Sequence, residues 1–263
     1  MRITYRSQHN RDYWEDRWNN VNVDKKMENK DVYPLKYAEM TLNDGKGNIL
    51  EAGCGAGRIV RYYKDQGWEI KGIDFIASVI DKLKTEDPEL DVELGDITNL
   101  RFDDGAFKYL FAFGLYHNLE NGLEKALNES ARVLETNGKL CASFRADNIQ
   151  TKLVDYLANK KSEKQGQSEP QKQFHKLNLT QTEVLKQISA AGFKVEKIMP
   201  VENMPVLYKF EFFRAQRHKV FDENLGRREG YQLSVLGNLL QKTLIALFSG
   251  QFCNLFVVIA RKI

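Results

Sequence analysis

The chain has 263 residues, 42% of them hydrophobic and 29% charged, with a formal net charge of +3. That length supports a buried core without metal or disulfide, and the charge is too small to imply a nucleic-acid partner. Cys54, Cys141 and Cys253 are odd in number and far apart, which argues against a disulfide framework or a zinc site and fits a reducing cytoplasm. The opening MRITYRSQHN has no apolar segment of a secretory leader, and no apolar run long enough to cross a membrane occurs.

In chain order, HNRDYWEDRWNN predicts a helix capped by Asn10, with Trp14 and Trp18 on one face. DVYPLKYAEMTL predicts a second, with Pro34 in its first turn. A strand from Asn48 to Ala52 leads into a glycine loop and a helix that stops at Gly67. Then come a strand in WEIKGIDF, a helix in ASVIDKLKTE, a strand in LDVELGDI and a strand in FKYLFAFG, apolar on both faces as a central parallel strand should be. LEKALNESARVLETNG reads as an amphipathic helix ended by Gly138, and KLCASFRA as the next strand. Ile149 to Asn159 reads as helical, residues 160–173 as a polar surface loop, TQTEVLKQISAAG as a helix with a Thr cap, and FKVEKIMP as a strand. Residues 201–250 form an insertion before the last strand, in QFCNLFVVIA. Strands alternating with helices imply an α/β fold, a parallel sheet with helices on both faces.

The chemistry concentrates in ILEAGCGAGRIV. A glycine turn between a strand and a helix brings a ligand close to the backbone, facing helix N–H groups. Dinucleotide loops place their third glycine one residue later, and Glu51 before the turn would repel a pyrophosphate but suits an ammonium group. Asp74 ends the second strand of this series, where a carboxylate accepts from both hydroxyls of a ribose. Asp96 ends the third, placed to accept from an adenine amino group while the N–H of Ile97 donates to the ring.

These segments (LEAGCGAGR, GIDF, GDITNL, FAFGLYHNL and ARVLETNGKL) resemble the class I S-adenosylmethionine-dependent methyltransferases that act on small molecules. The resemblance is close over residues 49–144 and looser at the terminal strands. It implies a Rossmann-like sheet of seven strands, mostly parallel with the last antiparallel, and S-adenosyl-L-methionine as cofactor, leaving S-adenosyl-L-homocysteine as product. It implies that Gly53 and Gly55 back the methionine part with Glu51 nearby, that Asp74 holds the ribose, that Phe75 packs on the adenine and Asp96 and Ile97 read it, and that Phe113 also touches the cofactor. YWEDRW further resembles the Trp-x-x-x-Trp helix of thiopurine methyltransferases, which makes Trp14 and Trp18 lid residues.

The expected organisation is a single methyltransferase domain, residues 1–263, with a helical lid at 1–47 and a cap at 201–250. The expected activity is methyl transfer to oxygen or nitrogen of a small-molecule acceptor, by a monomer or homodimer in the cytoplasm. A hydroxyl acceptor needs a base, and His117 is the first choice, with Tyr116 beside it at the mouth of the site. Arg145, after the fifth strand, suits an anionic substrate group. His175, Tyr208, Arg214 and His218 are further expected substrate contacts. The residues from Leu233 to Phe248 are expected to pack an apolar face on the sheet rather than on a membrane. Two other readings compete. One is a non-catalytic methyltransferase-like subunit, against which the intact cofactor motifs argue. The other is a dinucleotide-dependent oxidoreductase, disfavoured by the glycine spacing.

Overall fold

β2 (Ile49–Ala52), buried along its whole length, lies near the middle of a seven-stranded sheet. Its neighbours are β3 (Ile70–Asp74) and β5 (Phe107–Ala112), both parallel to it. The computed structural model describes residues 1–6, 8–164, 173–222, 225–226, 229–248 and 250–263, excepting the side chains of 157–164. With β4 (Val92–Leu94), β6 (Leu134–Arg145), β8 (Phe193–Val201) and β9 (Leu255–Lys262), the strand order is β4-β3-β2-β5-β6-β9-β8, and β9 runs antiparallel to both of its neighbours. The expected mostly parallel, Rossmann-like sheet with an antiparallel last strand is what the chain forms.

The helices follow the apolar spacing. α3 (Arg58–Asp65) buries Ile59, Val60 and Tyr63, and α4 (Ala77–Glu86) buries Val79, Ile80 and Leu83. α5 (Leu123–Val133) covers the sheet with Ala126, Leu127 and Ser130, and α7 (Gln181–Ala190) starts on a capping box of Thr180 and Glu183. Two apolar clusters, one on each face of the sheet, make the core.

Four expectations change. α1 (Asn10–Asn19) is capped by the imidazole of His9, not by Asn10. α5 ends at Val133 rather than running to Gly138. Its amphipathic pattern continues into the start of β6, where Leu134 pairs with Phe107 of β5 and the register then shifts before Lys139 pairs with Tyr109, and Asn137 takes a φ of 66° that no helix accommodates. α6 (Ile149–Lys164) extends into the segment read as loop, of which 165–172 lie outside the described residues. The last change is a second sheet that the sequence reading lacked. β1 (Arg2–Arg6) pairs antiparallel with β7 (Gln173–Asn178), and β7 packs against the turn after β5.

α2 (Leu35–Thr41) follows Pro34 as expected and buries Leu35 and Ala38. The insertion between β8 and β9 is a series of short 3-10 turns and then α8 (Val235–Leu247). Here the expected packing on the sheet is overturned. Val235, Leu236, Leu239, Leu240 and Leu247 are exposed, whereas Gly237 and Gln241 are the buried positions. The helix approaches its support on the side without bulk: a Cβ at Gly237 would lie 2.7 Å from the carbonyl oxygen of Phe213. Among the described residues no helix is long and apolar enough to cross a membrane.

Candidate active site

The parallel strands all end at one edge of the sheet, and there a cavity of about 480 Å³ opens. One side of it is the glycine turn. Gly53 and Gly55 hold φ of +73° and +49°, a region closed to most side chains. A Cβ on Gly55 would meet the indole of Trp18 at 2.5 Å, so the turn and α1 are in direct contact through that missing atom. Trp14 stacks on Trp18 with ring centroids 5.6 Å apart, and both line the cavity. Gly57 serves packing instead, since a Cβ there would meet Leu83 at 2.9 Å.

Two carboxylates stand at this turn. Asp74 accepts from the N–H of Gly55 at 2.9 Å and from the N–H of Ile76 at 3.0 Å, so it is fixed in place with further lone-pair sites toward the cavity. Glu51 accepts from the N–H of Val60 at 3.1 Å. Burial pushes its pKa up to about 8, and neighbouring Arg58 pulls the other way. An ammonium group arriving beside Glu51 would add to the positive charge of Arg58 in favouring the carboxylate. Phe75 and Phe113 also line the cavity. Tyr33 lies beside Phe113 and shares a hydrogen bond with the Ser143 hydroxyl at 2.9 Å. These groups together fit a ligand with an ammonium group, a diol and an aromatic ring.

The other side is built by the turn after β5, the end of β6 and the second sheet. His117 is 6% exposed and lines the cavity, and among the described residues its Nδ1 has no hydrogen-bond partner. Burial, then the positive charges of Lys176 and Arg145, hold its pKa well below the usual imidazole range. It is therefore neutral at physiological pH, with a nitrogen able to accept a proton. Arg145 donates to Asn178 Oδ1 at 2.8 Å and to Asp155 at 3.1 Å, and faces the cavity.

The structure brings together Trp14, Trp18, Glu51, Gly53, Gly55, Asp74, Phe75, Phe113, His117 and Arg145 around one cavity. It places the other expected residues elsewhere. Tyr116 is fully buried in the core, its hydroxyl 2.6 Å from that of Ser130 and its ring stacked on Phe144. Asp96 is exposed and accepts from the N–H and hydroxyl of Thr98, while Ile97 is in the core; neither lines the cavity. His175 shares a 3.5 Å contact with Thr4 outside the lining. In the insertion Tyr208 and His218 are buried against each other, 3.0 Å between the hydroxyl and Nδ1, and Arg214 lies over Tyr208 while donating to its carbonyl. These three form the insertion's own core. Phe221 and Tyr231, packed on Tyr208, reach the cavity, as do Asn203 and Met204 at the insertion's start.

Among the lining residues missed were Tyr13, Arg17, Tyr33, Arg58 and Lys176. Arg17 stands three residues after Trp14, a spacing that marks a shared helix face. Lys176 had no such signal, because its strand was not read as one.

Residues 50–142 match a family described as a methyltransferase domain. The chain is 27% identical over 139 residues to an uncharacterized methyltransferase of Staphylococcus carnosus, covering 50% of this chain and 66% of that protein. It is 33% identical over 93 residues to a demethylmenaquinone methyltransferase of Paenarthrobacter aurescens, covering 35% of this chain and 36% of that one. The chain thus spans only part of the length of these relatives. In fold it is similar to the crystal structure of an S-adenosylmethionine-dependent methyltransferase from Methanosarcina mazei, with a TM-score of 0.58 at 16% identity over 88% of this chain and 98% of that one.

Proposed function

Given a chain that belongs to the class I S-adenosylmethionine-dependent methyltransferase family, we propose that it transfers a methyl group to oxygen or nitrogen of a small-molecule acceptor. The observation that carries this is the single cavity joining the glycine turn, Glu51 and Asp74 on one side to His117 and Arg145 on the other. S-adenosylmethionine, when bound, supplies an electrophilic methyl group open to in-line displacement. Asp74 accepts from the ribose hydroxyls, and Glu51 pairs with the ammonium group. Trp14, Trp18 and Tyr33 wall the site from water, and Phe75 offers an aromatic face to the adenine. His117 Nδ1 takes the proton from an acceptor hydroxyl as it attacks, and the cavity fixes the line of approach.

Asp74→Ala tests the cofactor assignment. S-adenosylhomocysteine binding should weaken by about 1–3 kcal/mol, the range of a charge-assisted hydrogen bond. Calorimetry showing unchanged affinity in a folded variant would remove Asp74 from the site.

A further inference from the structure

The side of the cavity around His117 gathers positive charge that the reading above leaves unused. β7 brings Lys176 into the wall, β6 brings Arg145 and α1 brings Arg17. The nearby carboxylates are already engaged. Asp155 accepts from Arg145 at 3.1 Å and from Arg2 at 2.9 Å, and Asp147 accepts from Arg2 at 2.7 Å. Among the described residues, the Lys176 ammonium has no hydrogen-bond or ion-pair partner. Nη1 of Arg145 makes no hydrogen bond there either, its contacts running through Nε and Nη2. Nδ1 of His117, buried on the same wall, is also unpartnered. Lys176 is half-buried in the cavity wall beside Arg145, and a cation partly withdrawn from water among like charges gains from a ligand anion.

Position separates this cluster from the cofactor groups. Asp74 ends β3 and Arg145 ends β6, three places apart in the sheet, which is about 14 Å at the ordinary strand spacing. Resting on the methyl-transfer reading, we infer that the acceptor carries a carboxylate or phosphate, which Lys176 and Arg145 hold beside His117 while its reacting atom points toward the glycine turn. Lys176 is then a specificity-determining residue of the acceptor site.

The charges acting on Lys176 support this. Arg145 on β6, Arg6 on β1 and Arg17 on α1 act on it, opposed by Asp155 on α6. His117 and His175 feel Lys176 in turn. Burial first, and then those cations, bring the lysine's pKa down to about 7. A bound anion reverses that, so binding above pH 7 takes up a proton. It also offsets the charges that hold His117 low and so makes the imidazole a better proton acceptor.

The test is calorimetric titration of benzoate, phenyl phosphate and the neutral isostere benzamide into wild type, Lys176→Met and Lys176→Arg, each with and without saturating S-adenosylhomocysteine. Wild type should bind benzoate or phenyl phosphate about 10–100-fold more tightly than benzamide, the worth of one charge-assisted contact. The tighter of the two identifies the anionic group. Lys176→Met should lose that preference, Lys176→Arg should retain most of it, and S-adenosylhomocysteine affinity should stay within about twofold in all three. Imidazole NMR should show His117 titrating at higher pH once the anion is bound. Anions bound no better than benzamide, or equally well by a folded Lys176→Met, overturn the inference. So does weakened S-adenosylhomocysteine binding in Lys176→Met, which would assign the lysine to the cofactor carboxylate. If wild type fails to bind S-adenosylhomocysteine, the methyl-transfer reading falls, while the series without it still decides the anion site. If Lys176→Met does not fold, retention of the preference in Lys176→Arg and the upward shift of His117 in wild type stand as the test, and absence of both overturns the inference.

Discussion

Lys139 and Lys176 are both strand lysines turned toward the interior, at opposite edges of the structure. Lys139, 2% exposed, lies beside the start of β5, with its ammonium 3.0 Å from Asp44 and 3.6 Å from Glu196. Arg261 closes the group by bridging the same two carboxylates at 2.8 and 2.7 Å. Lys176 stands in the cavity wall at the edge where the parallel strands end, among like charges. One residue type thus completes a closed ionic network at one edge and leaves an open one at the other. A closed network serves the fold, because each charge has its partner. An open one at a cavity is a place where a ligand supplies the missing charge.

The largest effect expected at the open edge concerns His117. His117→Ala should slow single-turnover methyl transfer to a hydroxyl acceptor by roughly 10²–10⁴-fold, the usual contribution of a positioned base. S-adenosylhomocysteine affinity should hardly change. A near-wild-type rate would remove the base and leave alignment alone to carry the reaction.

The contrast itself is tested by two parallel substitutions. Lys139→Met should cost about 1–3 kcal/mol, less than for a fully buried pair because both partner carboxylates are partly exposed and keep Arg261. Lys176→Met should leave the melting temperature at pH 7 unchanged or raise it. The sign follows from linkage. The folded-state pKa of Lys176 is about 7, below its ordinary 10.5, so between those values the unfolded chain binds more protons. Wild type should therefore gain stability relative to Lys176→Met as pH rises through that window. Equal losses in both variants would dissolve the contrast.

At the glycine turn the expected effect depends on pH. Glu51 has its folded-state pKa raised to about 8, so an ammonium ligand must displace a proton below that value. S-adenosylhomocysteine affinity should rise from pH 6 to 7.5, by at most about tenfold per unit. Glu51→Gln should flatten that profile and weaken binding at pH 7.5. The raised pKa also means that wild-type stability is lost as pH climbs from about 4.5 to 8, so Glu51→Gln should be the more stable protein above pH 8. A pH-independent affinity in wild type would separate Glu51 from the ammonium group.

Gly55→Ala should cost about 1–2 kcal/mol, for a left-handed backbone position and a Cβ driven into Trp18. The tryptophan fluorescence should change with it. An unchanged emission spectrum would mean that α1 does not rest on the turn.

The sequence by itself determined the seven-stranded sheet, most of its helices and the glycine-turn side of the cavity, apart from Asp96 and Ile97, which lie outside the lining. Strand and helix periodicity, the glycine turn, and the carboxylates at Glu51 and Asp74 are all local, because backbone and ligand geometry there are set within a few residues. Even so, the local pattern misplaced the end of α5, where Leu134 to Gly138 satisfied a helical period but form the start of β6, with Leu134 paired to Phe107. The His117 side was decided only by tertiary structure. Arg2 pairs with Asn178 across 176 residues of sequence, and that pairing belongs to the sheet that carries Lys176 to the wall it shares with His117. Within the insertion, Tyr208, Arg214 and His218 carried the visible chemistry and were folded inward, while Phe221 and Tyr231 reached the cavity. Whether a charge is structural or functional depends on which partners surround it, and those partners come from elements far apart in sequence. Read along the chain, nothing near Lys139 or Lys176 says which one will be paired, and only the fold gives Lys139 its carboxylates.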